Sequence, residues 1–157
     1  MLRATRLERA GHWPRAKMRG TVTLAYDDRH RRRLRLETDA GDAFLLDLPR
    51  AALLDAGDGL ALDDGSWIEV CPALERLIEV RAAPGDQLAR IAWHVGNRHV
   101  PAQSCGDHLL LREDAVIIDM LSGLGAIFRR VEAPFTPERG AYEAAAHHAH
   151  DEHRHES

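Results

Sequence analysis

A chain of 157 residues is long enough to bury one ordinary core or two small ones, and its 45% hydrophobic and 29% charged residues exclude a fibrous or wholly disordered protein. A formal net charge of −4 gives no general attraction for nucleic acid, and no apolar run approaches the roughly 20 residues of a membrane helix. The opening residues hold no hydrophobic signal core, and the two cysteines, Cys71 and Cys105, form no CxxC pair, so the expectation is a cytoplasmic protein with idle thiols, no nucleic-acid partner and no membrane partner.

Residues 20–71 alternate in the manner of short strands, first at Val22, Leu24 and Tyr26, then at Leu34 and Leu36 between charges, then over Ala43 to Leu48 and Trp67 to Cys71. Turns separate them at Asp27-Asp28, Asp39-Ala40-Gly41-Asp42, Asp55 to Gly59 and Asp63-Asp64-Gly65, whose residues tolerate left-handed backbone or bond their own main chain. Residues 1–75 are expected to form a small all-β domain.

From Leu77 the rhythm changes. Leu77-Ile78-Glu79-Val80 predicts a strand and Pro84-Gly85 a turn; a helix follows with Asp86 as N-cap, Leu88, Ile91, Ala92 and Val95 on one face, and Gly96-Asn97 as its stop. Val100 to Gln103 and His108 to Leu111 predict two strands around Cys105-Gly106-Asp107. Asp114 then caps a second helix with a stripe of Ile117, Met120, Leu121 and Leu124, and Ile127 to Val131 return as a strand. Trp67 and Trp93 are expected in the core. The order βαββαβ predicts a ferredoxin-like domain over residues 76–142, with two helices on one face of a four-stranded sheet, so the fold class is α+β. After Pro134 the periodic signals stop, and residues 143–157 are alanine and histidine with scattered charge, read as a disordered His-rich tail.

That tail carries His147, His148, His150, His153 and His155, half of the chain's 10 histidines. Neutral imidazole suits nickel, zinc and copper, so the tail points to metal binding, yet ordering a flexible segment around an ion costs chain entropy that a fixed ligand avoids. His94 and His99 both sit near the end of the first predicted helix, and their spacing keeps them from aiming at one point on its surface.

The segment Ala92-Trp93-His94-Val95-Gly96-Asn97-Arg98-His99-Val100-Pro101-Ala102-Gln103 resembles the Gly-Asn-Arg-His signature of the UreE family. Asp119-Met120-Leu121 with Leu124-Gly125, Pro134 to Tyr142 and the histidine tail are similar to that family as well. The resemblance implies an N-terminal β domain for docking a partner or peptide, a ferredoxin-like metal-binding domain, and a homodimer through the latter. It also implies Ni(II) as cargo, delivered to the urease apoprotein complex with a maturation GTPase of the UreG type, Zn(II) or Cu(II) being possible competitors. The family's interfacial nickel ligand falls on His99. Some relatives carry further metal-binding histidines just before the second helix, but Arg112-Glu113-Asp114-Ala115 stands there, so that peripheral site does not carry over.

A two-fold dimer repeats whatever lies on its axis, so one His99 per chain becomes two imidazoles facing one metal, and tail histidines complete the sphere. Three other readings stand beside this one. The run Arg29-His30-Arg31-Arg32-Arg33 with Arg35 suggests RNA but lacks exposed aromatics for base stacking, and reads better as a solvated strand face or protein-docking patch. His94, Asn97, Arg98 and His99 resemble an acid–base set but have no nucleophile; Gly96-Asn97-Arg98 fits a helix stop with Arg98 in a structural hydrogen bond, and no enzyme is expected. A histidine-tail nickel or zinc buffer without delivery would lower free metal and show no dependence on an acceptor protein.

Overall fold

The computed structural model describes residues 1–139; the expectations for residues 140–157, the tail histidines among them, fall outside that range. The described chain divides into two units, Met1–Arg76 joined by Glu132–Thr136, and Leu77–Val131 with residues 137–139. It is a mixed α+β protein with two sheets and two helices among the described residues.

The first unit is built on β1 (Leu2–Glu8), β2 (Met18–Leu24), β3 (His30–Glu37), β4 (Ala43–Leu53), β5 (Gly59–Leu62) and β6 (Trp67–Pro72). They form one six-stranded sheet in the order β2-β6-β5-β1-β4-β3. β1 runs parallel to β4 and β2 parallel to β6, while the other pairs are antiparallel. The alternation read from the sequence is the alternation of the core: Leu36 opposes Phe44 and Leu34 opposes Leu46, all turned inward, while Arg33 and Asp47 oppose one another on the other face.

Two strands were not foreseen. β1 hides its period because its register shifts between Ala4 and Arg6, and β5 begins inside what reads as a turn. Tyr26, expected on a strand, opens a short 3-10 turn, Tyr26–Asp28. The Asp55 to Gly59 turn is held by Asp58, only 1% exposed, which accepts from Arg9 Nη1 at 2.7 Å, the Asp55 N–H at 2.8 Å and the Ala10 N–H at 3.1 Å. Gly59 follows because nothing larger fits: a Cβ there would lie 2.5 Å from the Trp13 indole, which stacks on Trp67 with ring centres 5.8 Å apart.

Arg29 corrects the reading of the basic run as one solvated face. Its side chain is wholly buried, whereas Arg31, Arg32, Arg33 and Arg35 are exposed along β3, an end strand of the sheet. Charge along an end strand discourages another chain from adding to it.

The second sheet has the order β10-β7-β9-β8 and uses β7 (Leu74–Arg81), β8 (Ala102–Ser104), β9 (Leu109–Arg112) and β10 (Ile127–Pro134). α1 (Leu88–Asn97) lies between β7 and β8 in sequence, and α2 (Ala115–Gly123) between β9 and β10. Ile78, Val80, Leu109 and Leu111 meet Ile91, Val95, Ile117 and Leu121 of the helices in one buried cluster. Glu79 alternates to the other face, between Arg81 at 2.9 Å and Arg129 at 3.1 Å.

Four local expectations shift. The N-cap of α1 is Gln87, not Asp86; Asp86 accepts the Gln87 N–H at 2.7 Å and grips Arg90 through both oxygens, so it anchors the first turn from one residue earlier. Trp93 is 64% exposed, because it lies two residues from both Ile91 and Val95 and so about 200° round the helix from the buried stripe. Leu124 ends α2 as its C-cap and does not join the core cluster. The two short strands begin later than the pattern suggests, at Ala102 and Leu109.

Candidate metal-binding site

α1 ends at the expected Gly96-Asn97, though the turn that follows falls on an unexpected residue. Gly96 and Asn97 complete the helix, the Arg98 N–H bonds the Val95 carbonyl at 3.1 Å, and the His99 N–H bonds the Gly96 carbonyl at 3.0 Å. The left-handed position that glycine or asparagine commonly takes after a helix is filled by His99, with φ +56°, the one non-glycine residue of positive φ among the described residues. An L-residue bears a steric penalty there, and the imidazole stands exposed.

His99 lies on the wall of an open groove of about 580 Å³, flanked by Arg98, Val100 and Pro101 and faced by Arg112, Glu113, Asp114, Val116 and Ile117. The groove's carboxylates are committed. Glu113 is ion-paired with Arg130, and Asp114 caps α2 as foreseen, accepting the Val116 N–H at 2.8 Å and the Ile117 N–H at 3.1 Å. Among the described residues that leaves the His99 imidazole as the groove's metal-ligating side chain with no hydrogen-bond or ion-pair partner. Arg98, expected in a structural hydrogen bond, finds no acceptor for its side chain among the described residues and stands exposed beside it.

His94 is not part of this arrangement: it lies half-buried within α1, edge-on to Trp93 with ring centres 5.0 Å apart. Among the described residues no three His, Cys, Asp or Glu side chains converge to hold a metal ion. A complete metal coordination sphere at His99 would therefore need ligands from beyond these residues of one chain. His147, His148, His150, His153 and His155 lie outside the described residues.

The acidic turn at Asp63 and Asp64 is structural. Asp63 accepts the Arg3 N–H at 3.2 Å, and Asp64 holds Ser66 and Arg19. The hairpin between β8 and β9, expected from the sequence, also carries a polar cluster that the spacing did not suggest: Asp107 joins His108 at 2.6 Å to Arg81 at 2.8 Å. The residue types were present, in a cysteine and a histidine flanking Gly106-Asp107.

Residues 4–73 match the family described as UreE urease accessory protein, N-terminal domain, and residues 75–157 match UreE urease accessory protein, C-terminal domain. The chain belongs to the UreE family. It is 51% identical over 134 residues to the urease accessory protein UreE of Chelativorans sp. (strain BNC1), covering 85% of each chain. To the UreE of Bradyrhizobium sp. (strain BTAi1) it is 48% identical over 154 residues, 98% of this chain and 74% of that one. With the UreE of Ruegeria pomeroyi it shares 49% identity over 144 residues, 92% and 93% of the two chains. These UreE relatives are named as accessory proteins to an enzyme. No helix among the described residues is long and apolar enough to cross a membrane.

Proposed function

We propose that this chain is a cytoplasmic nickel metallochaperone, which binds Ni(II) and hands it on during assembly of the urease active site. Two copies pair through the βαββαβ unit, which we read as ferredoxin-like, and bring two His99 imidazoles to one metal on the two-fold axis. His147, His148, His150, His153 and His155 of a disordered tail supply further ligands and release one at a time toward the acceptor, a GTPase of the UreG type acting with the urease apoprotein complex. The β domain, taken as residues 1–75, docks partners, and residues 76–142 carry the metal and the dimer contact.

One observation carries this reading: in a chain of the UreE family, His99 is the exposed, uncommitted imidazole at a forced turn beside a groove whose carboxylates are occupied. A single ligand that the fold presents but does not enclose suits transfer better than storage, since metal held in a complete protein cage leaves slowly.

The test is nickel titration by calorimetry on the full chain, on His99→Ala and on a chain ending at Tyr142. His99→Ala should remove the tightest event, near one nickel per two chains, and truncation the weaker ones. Loss through truncation alone would make the protein a histidine-tail buffer. Nickel entry into urease apoprotein that is no faster with the protein than with an equal free-nickel buffer would end the delivery reading.

A further inference from the structure

At the end of β8 away from His99, the hairpin into β9 brings a thiol and an imidazole onto one face of the second sheet. Ala102 opposes Leu111, Gln103 opposes Leu110 and Ser104 opposes Leu109, and the Cys105 N–H donates to the His108 carbonyl at 2.9 Å. Opposed residues of an antiparallel pair share a face, with Cβ atoms roughly 5 Å apart, so Cys105 and His108 stand side by side. Leu109 and Leu111 fill the core with the helices, which puts this pair on the other face. Val80 opposes Leu109 on the neighbouring strand, so Arg81 is next in the same row.

The imidazole is already oriented. His108 Nδ1 lies 2.6 Å from one oxygen of Asp107, and Arg81 Nη1 holds the other at 2.8 Å. A carboxylate that also receives a guanidinium N–H acts as acceptor, so Nδ1 donates. In a neutral imidazole this leaves the Nε2 lone pair for a ligand, the arrangement in which a carboxylate behind a histidine fixes its tautomer for a metal. The thiol is half-buried, with its Sγ 3.9 Å from the Gln103 carbonyl oxygen.

We infer that Cys105 and His108 form a second metal station, a thiolate–imidazole pair for a borderline-soft divalent cation such as Zn(II), separate from His99. Binding displaces the thiol proton to solvent. With no third ligand converging among the described residues, the pair fills two of four tetrahedral positions and leaves two to water or to an incoming donor, so the site exchanges its metal readily.

Co(II) titration of the full chain, followed by near-ultraviolet absorption, tests this, because a thiolate–Co(II) charge-transfer band cannot arise from imidazoles at His99 or elsewhere. The band should saturate at one thiolate per chain, bleach on adding Zn(II), persist in Cys71→Ser and His99→Ala, and vanish in a Cys105→Ser protein of unchanged circular dichroism. Asp107→Asn, which orients and does not ligate, should weaken Co(II) binding about 10- to 100-fold. No band in the parent protein, or a band surviving Cys105→Ser, overturns the assignment. Since His99→Ala alone tests the nickel site, either conclusion can fail without the other.

Discussion

The buried Arg29 guanidinium donates to the backbone carbonyl of Phe135, 106 residues further along the chain. Its other terminal nitrogen reaches Thr136 Oγ1 at 3.4 Å, and it lies over the Tyr26 ring, which meets Phe135 edge-on at 5.6 Å. Burial pushes this guanidinium's pKa down, opposed by Glu75 and Asp55. Replacing it removes a buried charge-assisted hydrogen bond and the packing of the guanidinium on Tyr26, so Arg29→Ala should lower stability by roughly 2–4 kcal/mol. Arg29→Lys should recover part of that loss, lacking the two-pronged reach. Urea unfolding midpoints decide; a midpoint unmoved in Arg29→Ala would mean the contact holds nothing.

Gly59→Ala puts a methyl carbon 2.5 Å from the rigid Trp13 ring, itself wedged against Trp67. The ring cannot swing aside as a flexible side chain would, so overpacking should lower stability by about 1–3 kcal/mol. The same change should alter the tryptophan fluorescence of the folded protein, which ties the loss to this contact.

His99→Gly separates fold from function at one position. Glycine adopts the left-handed conformation freely, so thermal unfolding should show a small gain, about 0.5–1 kcal/mol, while the tightest nickel event disappears. A fall in stability would mean that the imidazole is held by contacts that its exposure gives no sign of.

Acid should loosen the second unit over a definite range. The Asp86 carboxyl falls from 3.8 to about 2, chiefly through Arg90, and the Asp107 carboxyl to about 2 through His108 and Arg81. A lowered folded-state pKa means stabilisation that is fully present above the unfolded value near 4 and is lost as pH falls through about 2. Asp86→Asn and Asp107→Asn should therefore flatten the pH dependence of unfolding between about 4 and 2. Above pH 5 the difference between Asp86→Asn and the parent should stay constant. Equal slopes in parent and variants would show that these pairs are as weak folded as unfolded.

Nickel binding should follow imidazole protonation separately from that acid effect. Affinity should fall as pH drops through roughly 6.5, where free imidazole takes up its proton. Calorimetric affinities that stay level from about pH 5 to 8 would exclude histidine as the main ligand.

Where local periodicity decides structure, the sequence is readable. The stripes Ile91–Val95 and Ile117–Leu121, the Asp114 cap and the inward turn of Leu34 and Leu36 all follow from spacing that neighbours impose on one another. Trp93 shows the limit of composition, since a large apolar ring says less about burial than its angle from Ile91. Arg29 shows the limit of local context: five arginines lie within seven residues, and nothing near them reveals that one meets a carbonyl 106 positions away. His99 was legible as a motif, but its left-handed backbone was not, because glycine and asparagine just before it look like the better candidates for that turn.

The first unit is closed by Glu132–Thr136, a late segment of the sequence. On a ribosome, Met1–Arg76 emerges early, with its strands able to pair, yet Arg29 has no carbonyl to grip until Phe135 has been made. Domains often mature in the order of their synthesis. Here the N-terminal sheet gains its last clamp only after the whole intervening unit has been translated.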